Sequence, residues 1–246
     1  MLDNTHTKPL VFIHGSGDTG RVWRFQVDYF GAERAFAIDL PGHGRRVDTL
    51  PPEVSVQEYA WAAHDIIWNE LGLASPIIAG HSLGGAVALA MGLEYGDELG
   101  GLILIGTGAR LRVHPDLLAA TRSAPDDATR QLKGLAFAPT HTEAMLADMI
   151  EEEQDKSAPS MLHRDLSACN VFDCMAQLAE IHLPTLIICG TEDRLTPVKY
   201  SQYLHQHIAG SSLRLISDAG HYVMREQPQQ VNQAIEEWLA HAVSFA

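Results

Sequence analysis

The feature that most constrains this chain is a series of six short apolar runs, each closed by glycine, proline or a polar residue. Most of these runs are apolar at every position and do not alternate with polar residues. Strands buried on both faces have this composition, because helices cover a parallel sheet on its two sides. The runs therefore predict a mainly parallel sheet of about six strands, at residues 9–14, 34–39, 75–80, 101–106, 184–190 and 212–217.

Amphipathic segments lie between several of these runs. From Ser55 to Leu71, apolar residues recur at steps of three and four, which places them on one face of a helix. A similar pattern starts after Pro228, a residue suited to the first turn of a helix. Strands that alternate with helices predict a right-handed, doubly wound α/β sheet. With 246 residues, 46% of them hydrophobic, the chain has enough apolar material for its core.

One long segment interrupts this alternation. Residues 110–181 contain no strand-like run, and they are too many for a simple loop. Four prolines divide the segment into short helical stretches: Pro115, Pro125, Pro139 and Pro159. We therefore predict an inserted helical cap at 110–181, with residues 1–109 and 182–246 forming the α/β core.

The third strand-like run leads into Gly80-His-Ser82-Leu-Gly84, which opens an alanine-rich helical segment. A sharp turn between strand and helix strains the backbone at the serine and raises its hydroxyl above the sheet. The positions two before and two after the serine must be small, because the chain passes close to itself there. Gly80 and Gly84 meet that requirement. We predict Ser82 as a catalytic nucleophile.

A serine hydroxyl needs a base to remove its proton, and the base needs an acid that orients it. His221 follows the last strand-like run, and Asp193 follows the fifth. Both lie at the carboxyl edge of the sheet, where open α/β sheets place their sites. We predict His221 as the base and Asp193 as the acid.

Other residues compete for these two roles. Glu192 is the main alternative to Asp193, and Asp39 and Asp218 are two further alternatives. The chain has 13 histidines, and His14 lies next to the predicted site. We expect His14 to hold the first loop by hydrogen bonds rather than to act as the base.

An acyl-transfer reaction also needs two donors for the oxyanion of its tetrahedral intermediate. Leu83, the residue after the nucleophile, offers one backbone N–H. The loop after the first strand, at 14–20, contains three glycines that allow its amides to turn toward Ser82. We predict the N–H of Ser16 as the second donor.

Together these residues resemble the α/β-hydrolase superfamily. The resemblance rests on the loop at 14–17, the Asp39-Leu-Pro-Gly-His-Gly44 motif and the segments around Ser82, Asp193 and His221. It covers nearly the whole chain outside residues 110–180. The resemblance implies the strand order 2-1-3-4-5-6 and a structural role for the Asp39 loop. Since only eight residues precede Pro9, we expect six parallel strands without the two additional first strands usual in the family.

The resemblance also implies an activity. Haloalkane dehalogenases and epoxide hydrolases have a similar architecture, but they carry Asp where Ser82 stands, so their alkyl-enzyme chemistry is not expected. We expect a carboxylesterase that cleaves small apolar esters through an acyl-enzyme. Thioesterase, lactonase, carbon–carbon bond hydrolase and perhydrolase activities use the same machinery and stay open. A ligand-binding or signalling protein that retained the three residues is an alternative from another class.

The candidate substrate-binding residues come from the cap and from the neighbourhood of the motifs. Methionine lines adaptable apolar pockets, although methionines in the cap can equally pack its own core. No Lys or Arg is evidently directed at the site, so the sequence does not predict an anionic substrate. The candidates are Trp23, Met145, Met149 and Met224.

The net charge and the cysteines limit the partners and the cellular location that the sequence allows. A net charge of -14 without a basic stripe disfavours binding to nucleic acid and to anionic membrane surfaces. No apolar run reaches the length of a membrane span, and residues 1–8 are too polar for a signal peptide. Three cysteines, an odd number, predict reduced thiols and a cytoplasmic location. We expect neither a metal nor another cofactor, and the sequence does not predict an oligomeric state.

Overall fold

The computed structural model describes residues 8–143, 145–146 and 159–242 of the chain. These residues form one sheet of six parallel strands in the order β2-β1-β3-β4-β5-β6, which confirms the predicted architecture and strand order. The strands are β1 Leu10–Ile13, β2 Ala35–Ile38, β3 Ile77–His81, β4 Gly101–Ile105, β5 Thr185–Gly190 and β6 Ser212–Ile216.

The burial of the strands follows from their place in the sheet. The four central strands β1, β3, β4 and β5 are buried at every position, as their continuous apolar composition predicts. The edge strand β6 is exposed at Arg214 and Leu215. Because all six strands are parallel, their carboxyl ends meet along one edge of the sheet. The loops that carry Ser82, Asp193 and His221 leave from that edge.

Helices cover both faces of the sheet, with two separate apolar clusters between them and the strands. Successive strand residues point to opposite faces, so Val11 and Ile13 join one cluster while Leu10 and Phe12 join the other. The helices are α1 Arg24–Phe30, α2 Val56–Asp65, α3 Leu83–Glu94, α4 Pro115–Ser123, α5 Pro125–Ala136, α6 Pro159–Val171, α7 Val198–His207, α8 Val223–Glu226 and α9 Pro228–Ala242.

The helix predicted at 55–71 begins with a capped first turn and ends as a π-helix rather than an α-helix. Ser55 and Glu58 form a reciprocal capping box that satisfies the first free N–H groups of α2. The last predicted turn continues α2 as a π-helix over Ile66–Glu70. Ile66 and Ile67 remain buried there, so the apolar face that the sequence indicates is preserved.

The segment between β4 and β5 is helical where it is described. Its helices α4, α5 and α6 begin at Pro115, Pro125 and Pro159, three of the four prolines predicted to divide it. Proline suits a first helical position because that N–H has no partner within the helix. Among the described residues, no helix combines the length and the apolar composition that crossing a membrane requires.

Candidate active site

Ser82 lies in a strained turn between β3 and α3. Its backbone has φ 53° and ψ -114°, a conformation that costs a non-glycine residue on the order of 1–3 kcal/mol. A Cβ atom on Gly80 would lie 2.0 Å from the carbonyl oxygen of Gly84. A Cβ atom on Gly84 would lie 2.3 Å from the carbonyl oxygen of Ile13. Both glycines are therefore required by the close approach of the chain to itself.

Neighbouring strands hold this turn in place. The N–H of Ser82 donates to the carbonyl oxygen of Ile105 at 3.0 Å, at the end of β4. The hydroxyl of Thr107 donates to the carbonyl oxygen of Ser82 at 2.8 Å. These contacts hold the strained backbone on both sides of the Ser82 side chain.

Asp193 and His221 form a buried hydrogen-bonded pair at the same edge of the sheet. The Nδ1 atom of His221 lies 2.9 Å from Oδ2 of Asp193, and both side chains are almost wholly buried. The other carboxylate oxygen accepts the N–H groups of Leu195 and Thr196, and the hydroxyl of Thr196 donates to Oδ2. These donors satisfy the Asp193 carboxylate on both oxygens.

The charge state of Asp193 follows from its surroundings. Burial by itself raises the pKa of the Asp193 carboxyl, but the charge and hydrogen bond of His221, together with the donors of Thr196, outweigh burial. The pKa of Asp193 therefore lies below its ordinary value, and the group is a carboxylate at neutral pH. A carboxylate that accepts from Nδ1–H leaves the Nε2 atom of His221 as the basic nitrogen.

The three alternative acids have other partners or positions. Asp39 accepts the N–H of Gly20 at 2.7 Å, and Asp218 accepts the hydroxyl of Thr140 at 2.6 Å. Glu192 is exposed, and its backbone N–H bonds to the carbonyl oxygen of Ala219. Of the four candidates, Asp193 is the one hydrogen-bonded to the His221 ring.

Two backbone contacts hold His221 in position. Its N–H donates to the carbonyl oxygen of Ala136 at 2.6 Å, and its carbonyl oxygen accepts Nε2–H of His81 at 3.0 Å. Both the His221 ring and Ser82 line one cavity. In the described part of the chain, no hydrogen bond joins the two side chains. Catalytic hydrogen bonds are often long or poorly aligned before a substrate binds, so the missing bond does not exclude a base and its nucleophile.

The loop at 14–20 contributes Ser16 and Asp18 to the wall of this cavity. Ser16 lines the cavity, and the N–H groups of Ser16 and Leu83 have no hydrogen-bond acceptor among the described residues. The next residue, Gly17, has φ 70° and donates its N–H to Oδ2 of Asp165 at 2.8 Å. The Asp165 carboxylate, on helix α6, thereby holds the backbone directly after Ser16.

His14 has the structural role expected of it. Its Nε2 atom accepts the N–H of Leu40 at 3.1 Å, and its Nδ1–H donates to the carbonyl oxygen of Gly15 at 2.8 Å. Burial and the nearby charge of His43 lower the pKa of His14 to about 3, so the ring is neutral. It connects the loop after β1 to the loop after β2.

The cavity has a volume of about 280 Å³ and lies between the carboxyl edge of the sheet and the helical segment. Its walls are mainly aliphatic, and many come from residues between β4 and β5. The aliphatic lining residues are Leu111, Val113, Leu117, Leu132, Leu135, Ala136, Leu166 and Leu195. A larger concavity of about 920 Å³ lies beside α2, and the described residues that line it include neither Ser82 nor His221.

The structure corrects part of the predicted substrate-binding set. Trp23 is wholly buried in the core, where its ring lies 5.0 Å from that of Phe12. Met224 is also wholly buried, in the same apolar cluster as Trp23. Neither residue lines the cavity, because each side chain points into the sheet-facing core. Met145 packs partly buried against that cluster, and Met149 lies outside the described residues.

Sequence reasoning missed several residues of the cavity wall. Leu166 and Cys169 lie on α6, one turn apart on one face of the helix, and both line the cavity. The spacing of apolar residues in α6 indicates that one face of the helix is buried. It does not indicate whether that face packs against the sheet or lines a cavity. The expectation that no Lys or Arg is directed at the site is wrong, because Arg112, Lys133 and Arg194 also line the cavity.

Comparison with known proteins gives close structural matches. A chain described as a thermophilic esterase shares 36% sequence identity and a TM-score of 0.81, with 96% of this chain and 91% of that chain covered. A thermophilic esterase from Thermogutta terrifontis, described as malate-bound, shares 26% identity and a TM-score of 0.84, with 96% and 90% covered.

Sequence comparison points in the same direction. The pimeloyl-[acyl-carrier protein] methyl ester esterase of Neisseria meningitidis is 29% identical over 198 residues, which is 75% of each chain. The model of the alpha/beta hydrolase family matches residues 10–234, a range that contains Ser82, Asp193 and His221. By its fold and by this match, the chain belongs to the alpha/beta hydrolase family.

Proposed function

We propose that the protein is a serine carboxylesterase that cleaves small esters through an acyl-enzyme. One observation carries the proposal: a serine in a strained turn and a histidine paired with a buried carboxylate line the same cavity. The esterases among its relatives support an ester as the substrate.

The first half-reaction forms the acyl-enzyme. The Oγ atom of Ser82 attacks the ester carbonyl carbon while Nε2 of His221 takes the hydroxyl proton. Asp193 holds the Nδ1–H tautomer and stabilises the imidazolium that forms. The N–H groups of Ser16 and Leu83 stabilise the oxyanion of the tetrahedral intermediate. As the intermediate collapses, His221 gives its proton to the leaving alcohol.

The second half-reaction repeats these steps with water. His221 removes a proton from water, the hydroxide attacks the acyl carbon, and the same two N–H groups hold the oxyanion. Ser82 then leaves with the proton from His221, and the carboxylic acid is released. The mainly aliphatic cavity of about 280 Å³ favours an acyl or alcohol group of modest size.

The test uses p-nitrophenyl esters from acetate to decanoate, together with lactones and thioesters, on wild type and Ser82→Ala. Removing the nucleophile is expected to lower kcat about 10⁶-fold. The matched control is Ser201→Ala, because Ser201 is also buried but lies on α7 and does not line the cavity. This control should retain wild-type activity.

The outcomes separate the functions that the fold allows. A stoichiometric burst of p-nitrophenol that Ser82→Ala abolishes supports the acyl-enzyme. Preference for a lactone or thioester over every simple ester would replace the carboxylesterase by one of those related hydrolases. If wild type and Ser82→Ala do not differ on any substrate, the protein is not a serine hydrolase. Tight ligand binding without turnover would then favour a signalling role.

A further inference from the structure

Lys133 is a basic residue in the wall of the cavity that contains Ser82. It lies in the last turn of α5, is half-buried, and lines the cavity together with Ser82 and His221. Its ammonium has no hydrogen bond or ion pair with any described residue. A cation beside a mainly aliphatic cavity takes its acceptor from water or from a bound ligand.

Asp18, the described carboxylate that lines the same cavity, does not neutralise Lys133 directly. Its Oδ2 atom accepts the hydroxyl of Tyr222 at 2.8 Å. Burial raises the pKa of Asp18, and the charge of Lys133 only partly opposes that rise. Lys133 therefore acts on Asp18 at a distance and remains available to an anion in the cavity.

Two arginines add to the positive charge of the cavity wall. Arg194 donates to the carbonyl oxygens of Gly134 and Phe137, which secures the end of α5 against the loop after β5. Arg112 donates to the carbonyl oxygen of Asn170 at 2.6 Å. Both arginines bind neutral acceptors, and in the described part of the chain neither has a carboxylate within 4 Å.

This concentration of cations runs against the composition of the chain. With 31 acidic and 17 basic residues, an average cavity would be lined by more carboxylates than cations. Among the described residues, three cations and one carboxylate line this cavity, and of the cations Lys133 is half-buried while Arg112 and Arg194 are exposed. A local positive potential in an acidic protein attracts and orients an anionic substrate.

We propose that the substrate is an ester that carries a second, free carboxylate, and that Lys133 binds this carboxylate while Ser82 attacks the ester group. The proposal rests on the proposed esterase function and narrows its substrate class to monoesters of small dicarboxylic acids. Aliphatic walls contact the chain between the two carboxyl groups. Hydrolysis consumes one water and yields the dicarboxylate and the alcohol.

The experiment compares two matched substrate series on the intact protein. One series contains monomethyl esters of dicarboxylic acids with four to eight carbons, and the other contains methyl esters of monocarboxylic acids of equal chain length. The variants are Lys133→Met, Lys133→Arg and Arg130→Met. Arg130 lies one turn earlier on α5, is paired with Asp127 and does not line the cavity, so it is the matched control.

We expect the wild type to prefer the dicarboxylic series. Lys133→Met should lower kcat/KM for that series by about 10- to 100-fold, the loss typical of a hydrogen bond to a charged group. The loss should appear mainly in KM, while the neutral series is unchanged. Lys133→Arg should keep most of the preference, and Arg130→Met should keep all of it. Added salt should raise KM for the charged series only.

Each other outcome has a distinct meaning. If Lys133→Met affects both series equally, Lys133 only stabilises the end of α5 and the proposal is wrong. If wild type hydrolyses both series equally well, the proposal is also wrong, although the esterase function stands. If wild type and Ser82→Ala are alike on both series, the esterase function itself fails. Activity of Lys133→Met on the neutral series shows that the variant is folded.

Discussion

Two buried aspartate–histidine pairs lie near the carboxyl edge of the sheet, and only one of them faces the cavity. In the first, Nδ1 of His221 lies 2.9 Å from Asp193, and in the second, Nε2 of His43 lies 2.9 Å from Asp165. The pairs match in residue types and distance. They differ in what the second nitrogen of each ring contacts.

The second nitrogen of His43 is already occupied. Its Nδ1–H donates to the carbonyl oxygen of Pro41 at 3.2 Å, while Nε2–H donates to Asp165, so both nitrogens carry protons. Burial alone would lower the pKa of His43, but the hydrogen bond and charge of Asp165 outweigh burial and raise it. His43 is therefore a fixed cation, which cannot accept the proton of a nucleophile.

The Asp165 carboxylate also accepts hydrogen bonds from groups other than His43. It accepts the hydroxyl of Tyr59 at 2.5 Å and the N–H of Gly17 at 2.8 Å. Burial opposes its ionisation, but these donors and His43 leave the pKa of Asp165 below its ordinary value. The pair thus connects helix α6 to the loop that carries Ser16. A carboxylate–histidine pair becomes a candidate base when its outer nitrogen faces a nucleophile, and otherwise it joins elements of the fold.

The largest expected difference between variants of the two pairs is in the rate of ester hydrolysis. Asp193→Asn should lower kcat for a p-nitrophenyl ester about 10⁴-fold, because the amide no longer holds the Nδ1–H tautomer of His221. Asp165→Asn should leave the kcat of its folded fraction far closer to wild type. Steady-state kinetics on both variants checks this. Equal losses would contradict the assignment, and near-wild-type activity of Asp193→Asn would direct attention to Glu192 or Asp39.

The next difference is in stability. Asp165→Asn leaves the His43 cation buried without its carboxylate, and a broken buried pair costs about 3–5 kcal/mol. The control is Asp48→Asn, which removes the ion pair between Asp48 and Arg164 on the same network. Because Asp48 is partly exposed, its loss should be smaller. Urea unfolding followed by circular dichroism measures both, and a larger loss for Asp48→Asn would contradict the central role of Asp165.

The smallest expected effect is a pH dependence of stability. The pKa of His43 is raised in the folded state, so its stabilisation is complete below the ordinary value of 6.5 and is lost as pH rises through the folded pKa. The pKa of Asp165 is lowered, so its contribution is lost only as pH falls below 3.8. Each proton contributes a slope of at most about 1.4 kcal/mol per pH unit.

Urea unfolding between pH 5 and 9 tests this titration on wild type and His43→Gln. The wild type should lose more of its free energy of unfolding on the alkaline side than the variant does. His14, the ring next to His43, stays neutral in the folded state, so it changes the stability only below its ordinary pKa of 6.5, where the unfolded ring gains a proton, and the alkaline side is free of its effect. Parallel pH profiles for the two proteins would show that His43 is not the cation that the contacts indicate.

Local sequence patterns were enough to predict the frame of the site. The apolar runs indicate β3 and β5, and the glycines around Ser82 are needed wherever a strand turns so sharply into a helix. The structural role of the Asp39 loop follows from the family resemblance and not from a local pattern, and Asp39 and His43 make structural contacts. The same patterns failed for Trp23 and Met224, because proximity to a motif does not tell which face of the sheet a side chain covers.

By itself, the sequence determined the strands, their parallel arrangement and the residues at the carboxyl edge of the sheet, because these depend on short-range periodicity and turn geometry. Only the tertiary structure decided that both ring nitrogens of His43 are hydrogen-bonded, and that Lys133 and Cys169 line the same cavity as Ser16. Ser16 is more than a hundred positions from Lys133 and from Cys169, and His43 is as far from Asp165. These arrangements depend on how α5 and α6 pack over the sheet, which no local pattern encodes.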